Sequence, residues 1–399
     1  MANITKPKIN LGGNRQKIQS QGFFSNLKNS VVGLFIGIAV VFGACWLLFW
    51  NEVRANAADA AKSATELTES NVSSLQNRPV WTKGALTGTG VELDQFLNRN
   101  TDKKYIYLSR SIERYVWVEN EKKTTKDKAG GGTETITTYE YNLRWSSSTP
   151  NSSNFKDPDA RNSKQNPAVK PDYTGFTRTA SDLKIGGFNL ADGVSLSDAR
   201  SSFKPNANNI ANGMFFNGNY IYENEKTASA PSLGDYRISY RHIENNTNGI
   251  VLGKLSGNGD YIIRLDFKSS GVVKTSSSIY RFFNVSTIEE VTSILQSEHK
   301  TGKVVGRVFG IILSIIGFML LFGPIQAIAG IIPILKKITG KIIMVIAVIL
   351  GLVLSIVVII VANIINSVIA LIVLLALVAA FIAYGVYKGK KNAETEPAV

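Results

Sequence analysis

Residues 31–50, VVGLFIGIAVVFGACWLLFW, are twenty apolar or small residues without a charge. At about 1.5 Å of rise per residue, such a helix covers the ~30 Å hydrocarbon core of a bilayer. A buried helix in a soluble protein is seldom apolar on every side for so long. Trp46 and Trp50 close the run where an interfacial aromatic belt belongs. Ala55-Asn56-Ala57 has the small-x-small form of a signal cleavage site. The apolar run is longer than a signal core and about thirty residues precede it, so an uncleaved anchor is expected.

Three further spans are expected at 306–326, 342–362 and 367–387. Between the first two of these, 327–341 carries Pro333 and three lysines, which suit an interfacial or re-entrant segment better than a continuous span. The last two form one apolar stretch broken only at Asn363–Asn366, where a tight helical hairpin is expected.

Charge gives the orientation. The chain carries +14 overall, but residues 1–50 hold five basic residues and no acid, and 304–399 hold seven basic against two acidic. The 253 residues of 51–303 are left with only +4. Basicity concentrated beside spans reflects topology and anionic lipid, not nucleic acid. Four crossings place the 1–30 tail, the 327–341 cluster and the 388–399 tail on one side, the cytoplasm by the positive-inside rule. Residues 51–303 then form one domain outside. Cys45, in the first span, is the single cysteine, which rules out a disulfide framework within the chain and thiol chemistry in the outer domain.

The outer segment predicts an α+β domain dominated by an antiparallel sheet. Residues 51–77 are expected as a helix leaving the membrane. Strands are expected at Val80–Leu86, Tyr105–Glu119, Thr135–Trp145, Met214–Tyr222, Tyr236–Ile243, Gly249–Leu255, Tyr261–Phe267 and Ser277–Phe283. Residues 120–134 suggest a charged hairpin tip or loop, 146–175 an irregular stretch, and 196–203 a short helix. A second helix at 287–300 opens on the capping pattern Ser286-Thr287-Ile288-Glu289 and leads into the second span. Gly84–Gly88 (GALTG) and Gly253–Gly257 (GKLSG) echo each other weakly, as a duplication would.

Chemistry is sparse. The two histidines, His242 and His299, have no nucleophile or ligand partner at recognisable spacing, and no phosphate-binding or dinucleotide motif occurs. No ionisable residue lies in the middle of a span, where ion paths and proton relays usually announce themselves. No metal, cofactor or catalytic residue is therefore assigned. Gly33 and Gly37 form a small-xxx-small pair suited to helix association, and so do Gly306 and Gly310.

Several segments, in order, resemble the transmembrane protein 43 (LUMA) family. They are Asn51-Glu52-Val53-Arg54-Ala55 at the end of the first span, Gly84-Ala85-Leu86, Tyr115-Val116-Trp117-Val118-Glu119, and Tyr139-Glu140-Tyr141 with Trp145. Asn151–Phe155 with Asn166-Pro167, Phe215-Phe216 and Gly234–Ser239 complete the series. The likeness covers about 30–300, with the closing spans in the family's place. It implies the endoplasmic reticulum and inner nuclear membrane in a eukaryote, with emerin and lamina-associated proteins as partners, and the cell membrane in a prokaryote. It carries over no catalytic residue. Glu52, Arg54, Trp117, Glu119, Asp235 and Arg237 are the candidate functional positions, each also open to a structural role: Glu52 and Arg54 as membrane-edge anchors, Asp235 and Arg237 at a turn entering a strand. The expected function is a membrane scaffold whose outer domain binds a protein or lipid and whose spans self-associate. A carboxylate-based hydrolase or lipid-modifying enzyme, and a channel or transporter subunit, are the alternatives.

Overall fold

The computed structural model of the chain describes residues 4–9, 15–21, 23–99, 103–128, 132–325, 340–367, 370 and 372–373. The chain divides into two compact units. One is formed by Met1–Phe23, Ala61–Leu265 and Ile279–Thr292, the other by Phe24–Ala60, Asp266–Ser278 and Ser293–Val399. The first is mixed α+β with mainly antiparallel pairing, and the second is built on long apolar helices.

The first unit has two principal sheets. In the nine-stranded sheet, Gly132–Ser146, Tyr105–Lys128, Tyr236–Glu244 and Tyr220–Tyr222 are consecutive antiparallel neighbours. Val116 and Val118 face inward along Tyr105–Lys128, so its half-exposed face is the one bearing Tyr115 and Trp117. The charged residues 120–128 extend the strand to the tip of the hairpin, the first of the two expected forms, because threonines opposite one another, such as Thr125 and Thr135, extend the ladder. Ile4–Ile9 and Arg15–Gln21, expected as part of a basic tail, form two more strands, and Arg15–Gln21 pairs with Thr133–Tyr139.

In the seven-stranded sheet, Thr247–Leu255 pairs with both Tyr261–Ile263 and Pro79–Thr87, closing a ring of five strands through Phe188–Leu190 and Lys184–Ile185. Closure removes open edges. The echoing segments lie on two of these strands, with Gly84 opposite Gly249 and Gly253 opposite Val80. Val80, Leu86, Ile185, Leu255, Ile262 and Phe282 belong to one core, and Leu108, Phe203, Ile221, Ile238 and Tyr240 to a second.

Three expectations are corrected here. Residues 51–77 do not form one helix: the first helix ends at Val53, and the Asn56 side chain accepts from Ala58 N–H and starts a new one, Ala57–Ser63. Residues 196–203 contain only the turn Ser197–Ala199, after which Ser201–Ser202 pairs with Tyr236–Glu244. The stretch 146–175 holds a short helix, Pro158–Ser163, capped by Asp157.

Among the described residues, three helices are long and apolar enough to cross a membrane. They are Phe23–Val53, Ile288–Leu321 and Gly340–Asn366, hereafter the first, second and third helix. The second is continuous with the capped segment, and its box joins Thr287 and Glu290 rather than Ser286 and Glu289. The first and second helices run antiparallel in close contact, with Gly306 against Asn51, Gly310 against Leu48 and Gly317 against Val41. A Cβ on Gly37 would sit 2.9 Å from the Gly317 carbonyl oxygen, so that glycine serves packing inside the chain. The third helix passes its Gly351 against Ile315. Asn363–Asn366 form the last turn of the third helix, and the Asn363 side-chain amide donates to the Ile359 carbonyl at 2.8 Å; the returning half of the expected hairpin lies almost wholly outside the described residues. The fourth span, 367–387, lies almost wholly outside the described residues, as do most of 327–341 and all of 388–399.

Candidate functional site

In the sheet unit, the family-like segments converge on one loop. Asn166 lies beside Trp117: its Oδ1 accepts from Trp117 N–H at 2.8 Å, and its amide donates to the Trp117 and Pro150 carbonyls at 2.9 and 3.0 Å. The Lys164 ammonium stands 4.2 Å from the Trp117 ring centroid. Glu119 Oε2 accepts from the Tyr141 hydroxyl and from Lys156 N–H, both at 2.6 Å. Burial, reinforced by Glu119, pushes the Tyr141 phenol well above its ordinary pKa, which keeps it a donor. Arg114 reaches the Pro167 and Ala168 carbonyls at 3.2 and 3.1 Å. Residues 149–169 are thereby held against the sheet. They line a groove of about 670 Å³ edged by Asn151, Ser153, Arg161, Asn162, Gln165 and Asn166.

Asp235 and Arg237 support this arrangement from the next strand. Asp235 accepts from Ser232 N–H at 2.7 Å and closes a tight turn at Gly234. Gly234 has φ +94°, and a side chain there would press on Pro167, so glycine is required twice over. Arg237 pairs with Glu113 at 2.6 Å, its guanidinium 4.0 Å from the Tyr220 ring and 4.9 Å from Trp145. Asp235 lies beside Tyr115, four residues along the strand from Glu119, which is roughly 13 Å. The Glu119 and Asp235 carboxylates therefore serve separate contacts on the sheet.

Sequence reasoning missed the charged centre of the second core. Asp94 and Arg110 are both 7% exposed, joined at 2.9 and 3.0 Å. Arg110 also donates to the Asp172 and Thr174 carbonyls, and Tyr240 donates to Asp94. The alternation of Tyr236–Glu244 marks Tyr240 as inward, but nothing near Asp94 marks an inward acid.

In the helical unit, Glu52 is the centre. Its side chain is fully buried, and Arg307 grips both carboxylate oxygens at 2.7 and 2.8 Å. Asn363 donates to it at 3.3 Å, and the Lys303 ammonium lies 3.8 Å away. One acid on the first helix thus collects donors from the second and the third. Glu52, expected as a membrane-edge anchor, joins three helices. Arg54 donates to the His299 carbonyl at 2.9 Å, and Asn51 to that of Lys303, also at 2.9 Å. Residues 266–278 bind the helix ends: Thr275 donates to the Val53 carbonyl at 3.0 Å, and Val272 N–H to the Asn366 carbonyl at 3.1 Å. Both carbonyls are ones a helix end leaves unpaired.

The comparisons with known proteins agree with this architecture. A family model described as transmembrane protein 43 matches residues 114–367. The mouse transmembrane protein 43 is 31% identical over 244 residues, 55% of this chain and 56% of the relative. The human protein of that name is 31% identical over 250 residues, 57% of each. The match thus spans little more than half the length of these curated relatives. No solved structure matches the chain.

Proposed function

We propose, from the premise that this chain belongs to the transmembrane protein 43 family, that it is a multi-pass membrane scaffold whose sheet domain, outside the cytoplasm, binds a partner through the groove beside Trp117. The observation that carries this reading is how the family-like residues are used. Trp117, Glu119, Asn166, Asp235 and Gly234 hold residues 149–169 in one conformation, with their own polar groups engaged. A surface fixed in advance binds without the entropic cost of ordering a loop. Its amide- and hydroxyl-rich edge suits a polar partner such as a protein segment.

A photo-crosslinker placed at Gln165 or Asn162 should capture a discrete partner from native membranes, and Asn166→Ala should abolish that capture. Uniform capture, or capture insensitive to Asn166, would refute the groove. Turnover of a lipid or glycan that Glu119→Gln removes in a folded protein would replace the scaffold with the enzyme.

The basic clusters support cytoplasmic termini. A spanning first helix puts Arg15–Gln21 across the bilayer from the sheet domain, whereas the strand register joins Arg15–Gln21 to Thr133–Tyr139. Both cannot hold in one inserted molecule, since an open strand pair would have to cross the hydrocarbon to reach the tail. In the inserted form we place the tail in the cytoplasm, free of the sheet. On a Cys45→Ala background, a cysteine at Gln19 should label from the cytoplasmic side and one at Asn162 from the opposite side. Labelling of both from one side would overturn the topology.

A further inference from the structure

The helical unit contains a cavity of about 830 Å³, separate from the groove beside Trp117 and unclaimed by the scaffold reading. It opens where the first helix ends. Its floor is apolar and hydroxyl-bearing, formed by the buried Leu295 and Thr275. Arg54 and His299 stand on its walls, and Lys274, Ser276 and Ser277 on its exposed rim. Arg54 donates to one backbone carbonyl and has no carboxylate partner among the described residues. Lys274 donates to the carbonyls of Ser269 and Ser270, at 3.3 Å each. Backbone carbonyls position these cations without neutralising them. One carboxylate, Glu298, also lines the cavity and is already engaged. Two full cations and two rim hydroxyls facing one acid make a receptor for an anion.

The other side of the cavity says what kind of anion. Trp46 and Trp50 line it, edge to face with centroids 5.9 Å apart. Below them on the same helix face lies Phe42, four residues before Trp46. Phe42 is 72% exposed, Trp46 66% and Trp50 39%, so an apolar stripe runs out of the cavity along the span. A soluble anion would have no use for that stripe. A ligand with a phosphate at one end and acyl chains at the other would use both.

We propose that this cavity binds the headgroup of an anionic phospholipid. Arg54 and Lys274 hold the phosphate, the rim hydroxyls the headgroup, and the Trp46–Phe42 stripe an acyl chain. Tryptophan is placed to do this, since its ring settles at headgroup depth with its N–H toward water.

The test uses the full chain purified in mild detergent, with native mass spectrometry counting retained phospholipid. Phosphatidylglycerol should be retained about tenfold better than phosphatidylcholine, in keeping with one well-placed charge-assisted contact. Lys274→Gln should lower that preference at least threefold, and Arg54→Gln with Lys274→Gln should erase it. Because Arg54 also supports a helix end, Ser277→Asp provides a rim variant that adds an opposing charge and should weaken retention with the helices intact. Trp46→Ala should weaken the lipid while leaving any binding of inorganic phosphate unchanged. Equal retention of the two lipids, or a preference indifferent to Lys274→Gln and Ser277→Asp, would overturn the site. Competition by free inorganic phosphate as effective as that by lipid would overturn the lipid as its source.

Discussion

Among the described residues, the sheet unit buries an arginine–carboxylate pair, while the helical unit buries a carboxylate whose arginine stays partly exposed. Asp94 and Arg110 are shut in together, and the surplus donors of the arginine go to backbone carbonyls. Glu52 is shut in alone, while Arg307 is 39% exposed and Lys303 and Asn363 complete the shell. In the first case both charges have left water, so each depends on the other. In the second only the acid has, and three donors share it. A buried pair of the first kind is costly to break, because the survivor is stranded. The junction of the second kind should yield in steps.

The largest effect expected from this contrast is at Asp94. Asp94→Ala strands Arg110 and should cost about 3–5 kcal/mol of sheet-unit stability, read by denaturant unfolding of the purified protein. Replacing both partners by apolar residues of similar volume should recover most of that loss. If the double replacement is as costly as the single one, the pair is not a self-contained unit.

Next comes Gly37→Leu, which forces a side chain into the Gly317 backbone and should cost about 1–3 kcal/mol. The readout is a disulfide engineered between Leu48 and Gly310, formed in oxidant and lost when the helices part. Unchanged cross-linking would show that the helices do not meet at the glycines. Glu52→Gln should cost less than Asp94→Ala, about 1–3 kcal/mol, since Arg307 regains water. If Glu52→Gln proves the worse of the two, the contrast between the two pairs collapses.

The smallest effect is a pH dependence confined to the sheet unit. Burial pushes the His242 imidazole below its ordinary 6.5, and Lys103 adds to this against the upward pull of Glu244. The ring is wedged edge-on between Tyr105 and Phe203. The unfolded chain takes up the proton first as pH falls. Stability is therefore full above 6.5 and declines as pH drops from there toward the folded-state value. Melting followed from about pH 7.5 to 5.5 should show this slope, and His242→Phe should flatten it. A slope that survives the substitution belongs to another group.

Periodicity and length were enough to read the three described apolar helices and the longer strands, because both report on a single segment; the expected strands at 214–222, 261–267 and 277–283 are each broken in two. The strand at Tyr236–Glu244 differs from expectation by one residue. The places where reading failed depend on partners far away in the chain. The helix-joining role of Glu52 is invisible until Arg307, 255 residues later, is beside it. Asn363 reads only as a polar break until its side chain is seen on its own helix and on that acid. The 120–128 stretch reads as a hairpin tip or a loop by charge, and only pairing with 132–140 decides for the hairpin. Of the candidate site, Trp117 and Glu119 were located by their motif, but the role of Asn166 came from geometry alone. Asp94 gave no local sign, since an inward acid is unmarked without its arginine.

The Glu52 junction also sets a timetable for making the protein. A chain elongates at about 5–20 residues per second, so Arg307 follows Glu52 out of the ribosome by ~13–50 s. Asn363 comes later still. Through that interval the first helix stands in the membrane with an acid near its end and no donor from its own chain. Water or lipid headgroups must serve that acid until the second helix arrives. Its arrival exchanges those temporary partners for Arg307, and the exchange becomes the step that commits the helices to one another.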